Sequence, residues 1–211
     1  MEFELPGITQ MQAQPDIGVS LARLLRITLF QDPDVIMVGE LRDEETAKLT
    51  VEAALTGHLV FTLMHANDAA EVFTRLGELG IEPFHMANAT IGIIAQRLAR
   101  RLCQNCKKQV SVDEVTLGYF GYTKDSAPPF YQGEGCEKCN HTGKKGRVGI
   151  YEVLVMNEEL KRAVAAGART NEIRDLAVKS GMRTLKDYGM ILLAEGLASV
   201  DEVLANMIVS K

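Results

Sequence analysis

Gln31-Asp32-Pro33-Asp34-Val35-Ile36-Met37-Val38-Gly39-Glu40-Leu41-Arg42-Asp43 is the stretch that decides how this chain folds. Four apolar residues rich in β-branched side chains stand between Pro33 and Gly39, which suits a short buried strand. A carboxylate, Glu40, follows at the strand's carboxyl end, and in open α/β sheets ligands bind beyond those ends. A glutamate there can orient a water for attack on a γ-phosphate or help to hold Mg²⁺ through water. The plainer alternative is a surface glutamate capping a helix.

Asp43 to Thr56 is rich in Glu, Ala, Lys and Leu and reads as a helix capped by Asp43 and stopped by Gly57. Leu59-Val60-Phe61-Thr62-Leu63 reads as the next strand, with His58 at its start and His65 at its carboxyl end, on the same side as Glu40. A neutral imidazole at that edge can hydrogen-bond a phosphate oxygen. Asn67 or Asp68 is expected to cap a helix whose Val72, Leu76 and Leu79 share a face, and Pro83 to open a helical stretch running to about Leu102. Strand, helix, strand, helix with short links is the grammar of an α/β fold with a parallel sheet.

Downstream, two Cys-x-x-Cys pairs, Cys103/Cys106 and Cys136/Cys139, bracket a segment rich in Gly, Pro, Tyr and Lys. The spacing lets each tight turn aim two thiolates at one ion, and the intervening residues can bring the second knuckle across to complete a tetrahedron. Four thiolates close a structural Zn²⁺ site and leave no position for a catalytic water. His141 is a competing ligand, and free thiols or two disulfides are the metal-free alternatives. Gly133, Gly135 and Gly143 are expected to supply turns. Residues 151–211 read as short helices: 157–166, 170–180, 184–195 and 199 onward. Thr170 and Ser199 are the expected caps, with Glu172 and Glu202 near capping-box positions. Three regions are therefore expected: 1–102, 103–150 and 151–211.

The 211 residues are 46% hydrophobic and carry a net charge of −5. That charge argues against a general nucleic-acid binder, since neutralising phosphates takes an excess of Lys and Arg. No apolar run approaches the roughly 18–20 residues that span a bilayer. The amino terminus lacks the basic start and apolar stretch of a signal peptide. The chain reads as cytoplasmic, where paired Cys-x-x-Cys motifs favour metal over disulfides.

Together these residues resemble the ATPases of bacterial type II secretion and type IV pilus assembly. Asp32 to Asp43 is similar to the family's Walker B region, Asp-Pro-Asp-apolar-Gly-Glu-Ile-Arg-Asp, with Leu41 for Ile. Thr56 to Asp68 is similar to its histidine box, with Ala66 for Thr and Thr62-Leu63-Met64 for Ser-Thr-Leu. Gly80-Ile81-Glu82-Pro83-Phe84 and Ala95-Gln96-Arg97-Leu98 match the segment before the cysteines, and the four-cysteine module matches assembly ATPases, which retraction ATPases usually lack.

The resemblance implies part of a RecA-like P-loop NTPase core, a zinc module and a carboxyl-terminal helical subdomain. It implies a hexameric ring that binds ATP and Mg²⁺ between subunits. It also implies an inner-membrane platform protein as partner, with the ring at the cytoplasmic face of that membrane. Glu40 would be the catalytic carboxylate, and Arg42 and Asp43 would hold the Walker B loop. His58 and His65 would couple the γ-phosphate to domain movement. Arg97 would support the site or a subunit contact, and Glu2 would stand as the last acidic residue of the aspartate box.

No Gly-x-x-x-x-Gly-Lys-Ser/Thr loop occurs in the chain. Tight ATP binding draws mainly on that loop's backbone amides and lysine. The chain is therefore expected to be the carboxyl-terminal portion of a longer protein, without appreciable ATPase activity by itself. A second reading is a zinc-stapled interaction module that docks the platform protein without chemistry of its own. A third, a nucleic-acid-binding zinc ribbon, rests on Lys107, Lys108, Lys144, Lys145 and Arg147 and sits poorly with the acidic balance.

Overall fold

The computed structural model describes residues 4–208. Glu2 lies outside them. In chain order the elements are α1 (Leu21–Leu29), β1 (Val35–Val38), α2 (Glu44–Leu55), β2 (Leu59–Thr62), α3 (Glu71–Glu78), α4 (Pro83–Ala89), β3 (Gly92–Leu102), β4 (Lys107–Val110), α5 (Glu114–Phe120), β5 (Phe130–Gly133), β6 (Lys144–Val155), α6 (Glu158–Ala165), α7 (Thr170–Lys179), α8 (Leu185–Ala194) and α9 (Val200–Ile208). They form two compact units.

The first unit takes the chain up to Ala66, with Ala70–Ile91 and Met156–Leu176. Its sheet is the parallel pair β1–β2, in register from Val35↔Leu59 to Val38↔Thr62, with α2 as the crossover. α2 starts where Asp43 leaves the helical backbone and its carboxylate accepts from the Thr46 N–H at 2.8 Å. Gly57, at φ +106°, turns the chain out of the helix. Ile36 and Val38 face inward, while Val35, Met37 and Phe61 point outward from the pair. α3 starts later than the sequence suggests, with Ala70 rather than Asn67 or Asp68 at the cap position.

The second unit takes Asn67–Ala69, Gly92–Val155 and Ala177 onward. Its backbone is the antiparallel ribbon β3–β6, in register from Gly92↔Val155 to Leu102↔Lys144. Gly92 to Leu102 is thus a strand, where the residue types Ala, Gln, Arg and Leu suggested helix. The helix ends at Ala89 because pairing with β6 satisfies the backbone of the following residues instead. β4 and β5 form a second antiparallel pair. Phe120, Phe130, Ile150, Leu192, Leu193 and Val203 build the core among β5, β6, α5, α8 and α9.

The expected regions differ from this grouping. Composition breaks at 102/103 and 150/151, but β6 runs through residue 150 and binds β3 along its length. Nor do the terminal helices form one subdomain: α6 belongs to the first unit, and α8 and α9 to the second. Ser199 sits before α9, yet its hydroxyl is buried without a hydrogen bond among the described residues.

Candidate functional site

The carboxyl ends of β1 and β2 stay side by side past the strands, because the Leu41 N–H donates to the Leu63 carbonyl at 3.2 Å. Parallel pairing thereby brings Glu40 and His65 to one edge. His65 Nε2 lies 3.0 Å from Glu40 Oε1. Arg42 closes on the other oxygen, with Nε and Nη2 at 2.7 and 2.6 Å from Glu40 Oε2. The Arg42 hydrogen bond holds the Glu40 carboxyl below the usual glutamate range against a smaller opposing desolvation, helped by the positive charge of Arg42 and by His65. A carboxylate held ionised in this way is a weak proton acceptor and a strong hydrogen-bond acceptor, suited to orienting a water. The site is open: 92% of the His65 side chain and 77% of Arg42 face solvent, against 25% of Glu40.

Asp43 stands beside this cluster, with both carboxylate oxygens accepting from Thr46 at the start of α2. His58 is not part of it. Its Nδ1 lies 2.9 Å from the Ala53 carbonyl, so Nδ1 carries the proton and donates to the last turn of α2. That places it at the opposite end of β2 from His65. Arg97 belongs to the second unit, where Nη2 donates to the Asn67 carbonyl at 2.6 Å.

The four cysteines converge in the second unit. Their sulfurs all lie within 4.8 Å of one another. Cys103–Cys136 stand 3.9 Å apart, and Cys106–Cys139 and Cys136–Cys139 3.8 Å. Disulfides need about 2.05 Å. A tetrahedral zinc–thiolate site with bonds of about 2.3 Å has sulfurs about 3.8 Å apart. Each knuckle is shaped by backbone. The register of the ribbon shifts between Arg100 and Leu102, where Lys145 and Gly146 oppose Arg101 alone, and Gly146 takes φ +78°. Cys103 then donates its N–H to the Gly143 carbonyl at 3.0 Å. Gly133 and Gly143 approach so closely that a Cβ on either would run into the other's backbone. Gly133 thus serves close approach, and Gly143, at φ +70°, serves both approach and turn.

Backbone donors also reach the sulfurs: Cys136 N–H and Gly143 N–H lie 3.2 and 3.3 Å from Cys139 Sγ. Desolvation opposes ionisation of Cys139, but these donors outweigh it and bring the thiol to about 6. Burial pushes Cys106 up to about 12. Uneven thiols of this kind become equivalent ligands once a cation supplies the missing charge. His141 is not in the group of side chains able to share one ion among the described residues.

The sequence model of the family described as Type II/IV secretion system protein matches residues 1–205. The chain belongs to that family. The Type IV pilus assembly ATPase PilB of Thermus thermophilus is 48% identical over 210 residues, covering 99% of this chain and 24% of that protein. PilB of Myxococcus xanthus is 45% identical, covering 98% and 37%. The type II secretion system ATPase E of Vibrio cholerae is 39% identical, covering 97% and 40%. The chain thus spans a quarter to two fifths of the length of these relatives. Among solved structures, the Yersinia pseudotuberculosis ATPase DotB aligns with TM-score 0.62 at 19% identity, over 90% of this chain and 41% of DotB. The pilus retraction motor PilT with bound ADP aligns at 0.60 and 24%, over 89% and 43%. These likenesses show a shared α/β fold.

The sequence gives no role to one further polar residue of this family member, and a different role to another. Glu152 is 3% exposed in β6 and accepts from the N–H groups of Ala69 and Leu185. Its signal was phase: it falls on the same strand face as Ile150 and Leu154, both buried. Glu202, instead of closing a capping box, accepts from the Arg100 N–H and from Lys144. No helix among the described residues is long and apolar enough to cross a membrane.

Proposed function

We propose that this chain supplies the Walker B and histidine-box part of a hexameric motor ATPase that drives type IV pilus assembly or type II secretion. The observation that carries the reading is the contact of Glu40 with His65 and Arg42 at the carboxyl edge of a parallel strand pair. Glu40, held ionised, is placed to orient an attacking water, and where Mg²⁺ is bound it would help to hold the ion through water. His65 senses the γ-phosphate through the same carboxylate. Arg42 neutralises the carboxylate between turnovers. His58 and Asp43 act less directly, by fixing the two ends of α2. The phosphate-cradling loop is absent from these 211 residues, so the chain alone has no appreciable turnover.

The four cysteines hold one structural Zn²⁺, which supplies a fixed tetrahedral cross-link and no catalytic step. The stapled unit is the part suited to docking an inner-membrane platform protein from the cytoplasmic side. The test is Glu40→Gln in the full-length ATPase. The expected result is ATP binding retained and kcat reduced by roughly 100-fold or more. Turnover within a few-fold of the parent, or robust turnover by the 211-residue chain that Glu40→Gln abolishes, overturns the assignment.

A further inference from the structure

The buried carboxylate of Glu152 has two backbone donors from distant parts of the chain. Oε1 accepts from Ala69 at 2.9 Å and Oε2 from Leu185 at 3.2 Å. Leu185 opens α8, so this oxygen also sits at a helix amino terminus, where negative charge is favoured. Burying a carboxylate is costly unless it is hydrogen-bonded, and here both oxygens accept from backbone N–H groups. Ala69 is itself fully buried.

Arg97 stands on the same ribbon face as Glu152, because Ala95 pairs with Glu152 and Arg97 with Ile150. Its guanidinium holds the Asn67 carbonyl at 2.6 Å. Asn67-Asp68-Ala69 is therefore gripped at both ends by one face of the β3–β6 ribbon. His65, which touches Glu40, lies only two residues before Asn67 in the chain. A chain segment of that length transmits displacement directly, since each residue spans at most about 3.6 Å.

We propose that Glu152 is a positioning residue: with Arg97 it anchors Asn67–Ala69 to the β3–β6 ribbon and so fixes the backbone that leaves His65, a coupling carried along the chain itself. The coupling rests on the motor reading above, while the anchor itself does not. Glu152→Gln keeps the size of the side chain but leaves one carbonyl to serve two donors and turns an N–H₂ toward one of them.

In the full-length protein, Glu152→Gln is expected to speed hydrogen exchange at residues 67–70 about ten-fold while amides of β3 and β6 keep their protection. The His65 ring resonances should shift. kcat should fall about ten-fold with nucleotide affinity within about two-fold. Arg97→Gln should reproduce the exchange pattern more weakly and serves if Glu152→Gln does not fold. Unchanged exchange at 67–70, acceleration spread evenly through β6, or His65 resonances that do not move would each overturn the proposal. If the unaltered protein fails to hydrolyse ATP, the motor reading falls, and exchange together with the His65 resonances still decides the anchor.

Discussion

The Glu40 edge and the four-cysteine cluster are built on opposite plans. The first consists of long side chains in solvent at the ends of two four-residue strands, and its members touch through a carboxylate, a guanidinium and an imidazole. The second is made of short side chains on backbone packed too tightly for a Cβ at Gly133 or Gly143, with Cys103 and Cys139 almost fully buried. Exposed ion pairs contribute little to stability and rearrange cheaply. A cluster fixed by backbone has one geometry, which suits a cross-link. The open edge thus leaves its side chains free to rearrange, and the closed cluster has its shape set by the backbone around it.

The sharpest break in this contrast is Cys136→Ser in the full-length protein. It should reduce bound zinc from one equivalent to about a tenth or less, since structural zinc binding is coupled to folding of its site. Metal analysis and near-ultraviolet circular dichroism measure this, and pilus or secretion function should be lost while nucleotide affinity is largely spared. Equal loss of nucleotide affinity would mean that the two sites are not separate structures.

Gly143→Ala comes next. The new methyl would meet the Gly133 backbone, and the residue would have to hold φ +70°. Denaturant unfolding should show a loss of at least about 2 kcal/mol, as overpacking and left-handed backbone add. The same change at Gly7 or Gly18, which have open space around them, would carry only the conformational part.

Smaller again is the effect of acid on Glu202. Desolvation raises its pKa, but Lys144 and the Arg100 N–H outweigh that and leave it below the ordinary value. A carboxyl depressed on folding stabilises fully above the unfolded value of about 4.3 and loses that contribution as pH falls through the folded one. Glu202→Gln should cost about 1–2 kcal/mol at neutral pH and flatten the acid limb of the melting curve. On the open edge, Glu40→Gln should leave the melting midpoint within measurement error despite its large effect on turnover.

Much of the first unit was legible in the sequence because its signals are local. Pro33, Gly39, Asp43 and Gly57 punctuate β1, α2 and β2, with Asp43 acting as a cap and Gly57 through its positive φ. The two Cys-x-x-Cys pairs were legible for the same reason, since their spacing is local, although contacts of Gly133 and Gly143 shape the knuckles. What failed was long-range. Gly92 to Leu102 carries helix-forming residue types and became a strand because its partner lies some fifty residues on. Glu152 looks like an ordinary surface acid and Glu202 like part of a capping box, and only pairing phase and packing reveal what they hold.

By itself, then, the sequence determined the carboxyl-edge placement of Glu40 and His65, the pairing of the four cysteines and the family. Those follow from residue type and short spacing, which act before the chain has a tertiary structure. Only the tertiary structure decided that His58 serves α2 rather than the Glu40 edge, that the cysteine module is continuous with β3, β6, α8 and α9, and that Asn67–Ala69 is held by Glu152 and Arg97. Each of those depends on which distant backbone groups meet in the folded chain. Strand pairing and burial choose them through the need to satisfy every enclosed donor and acceptor, a condition no local stretch of sequence states.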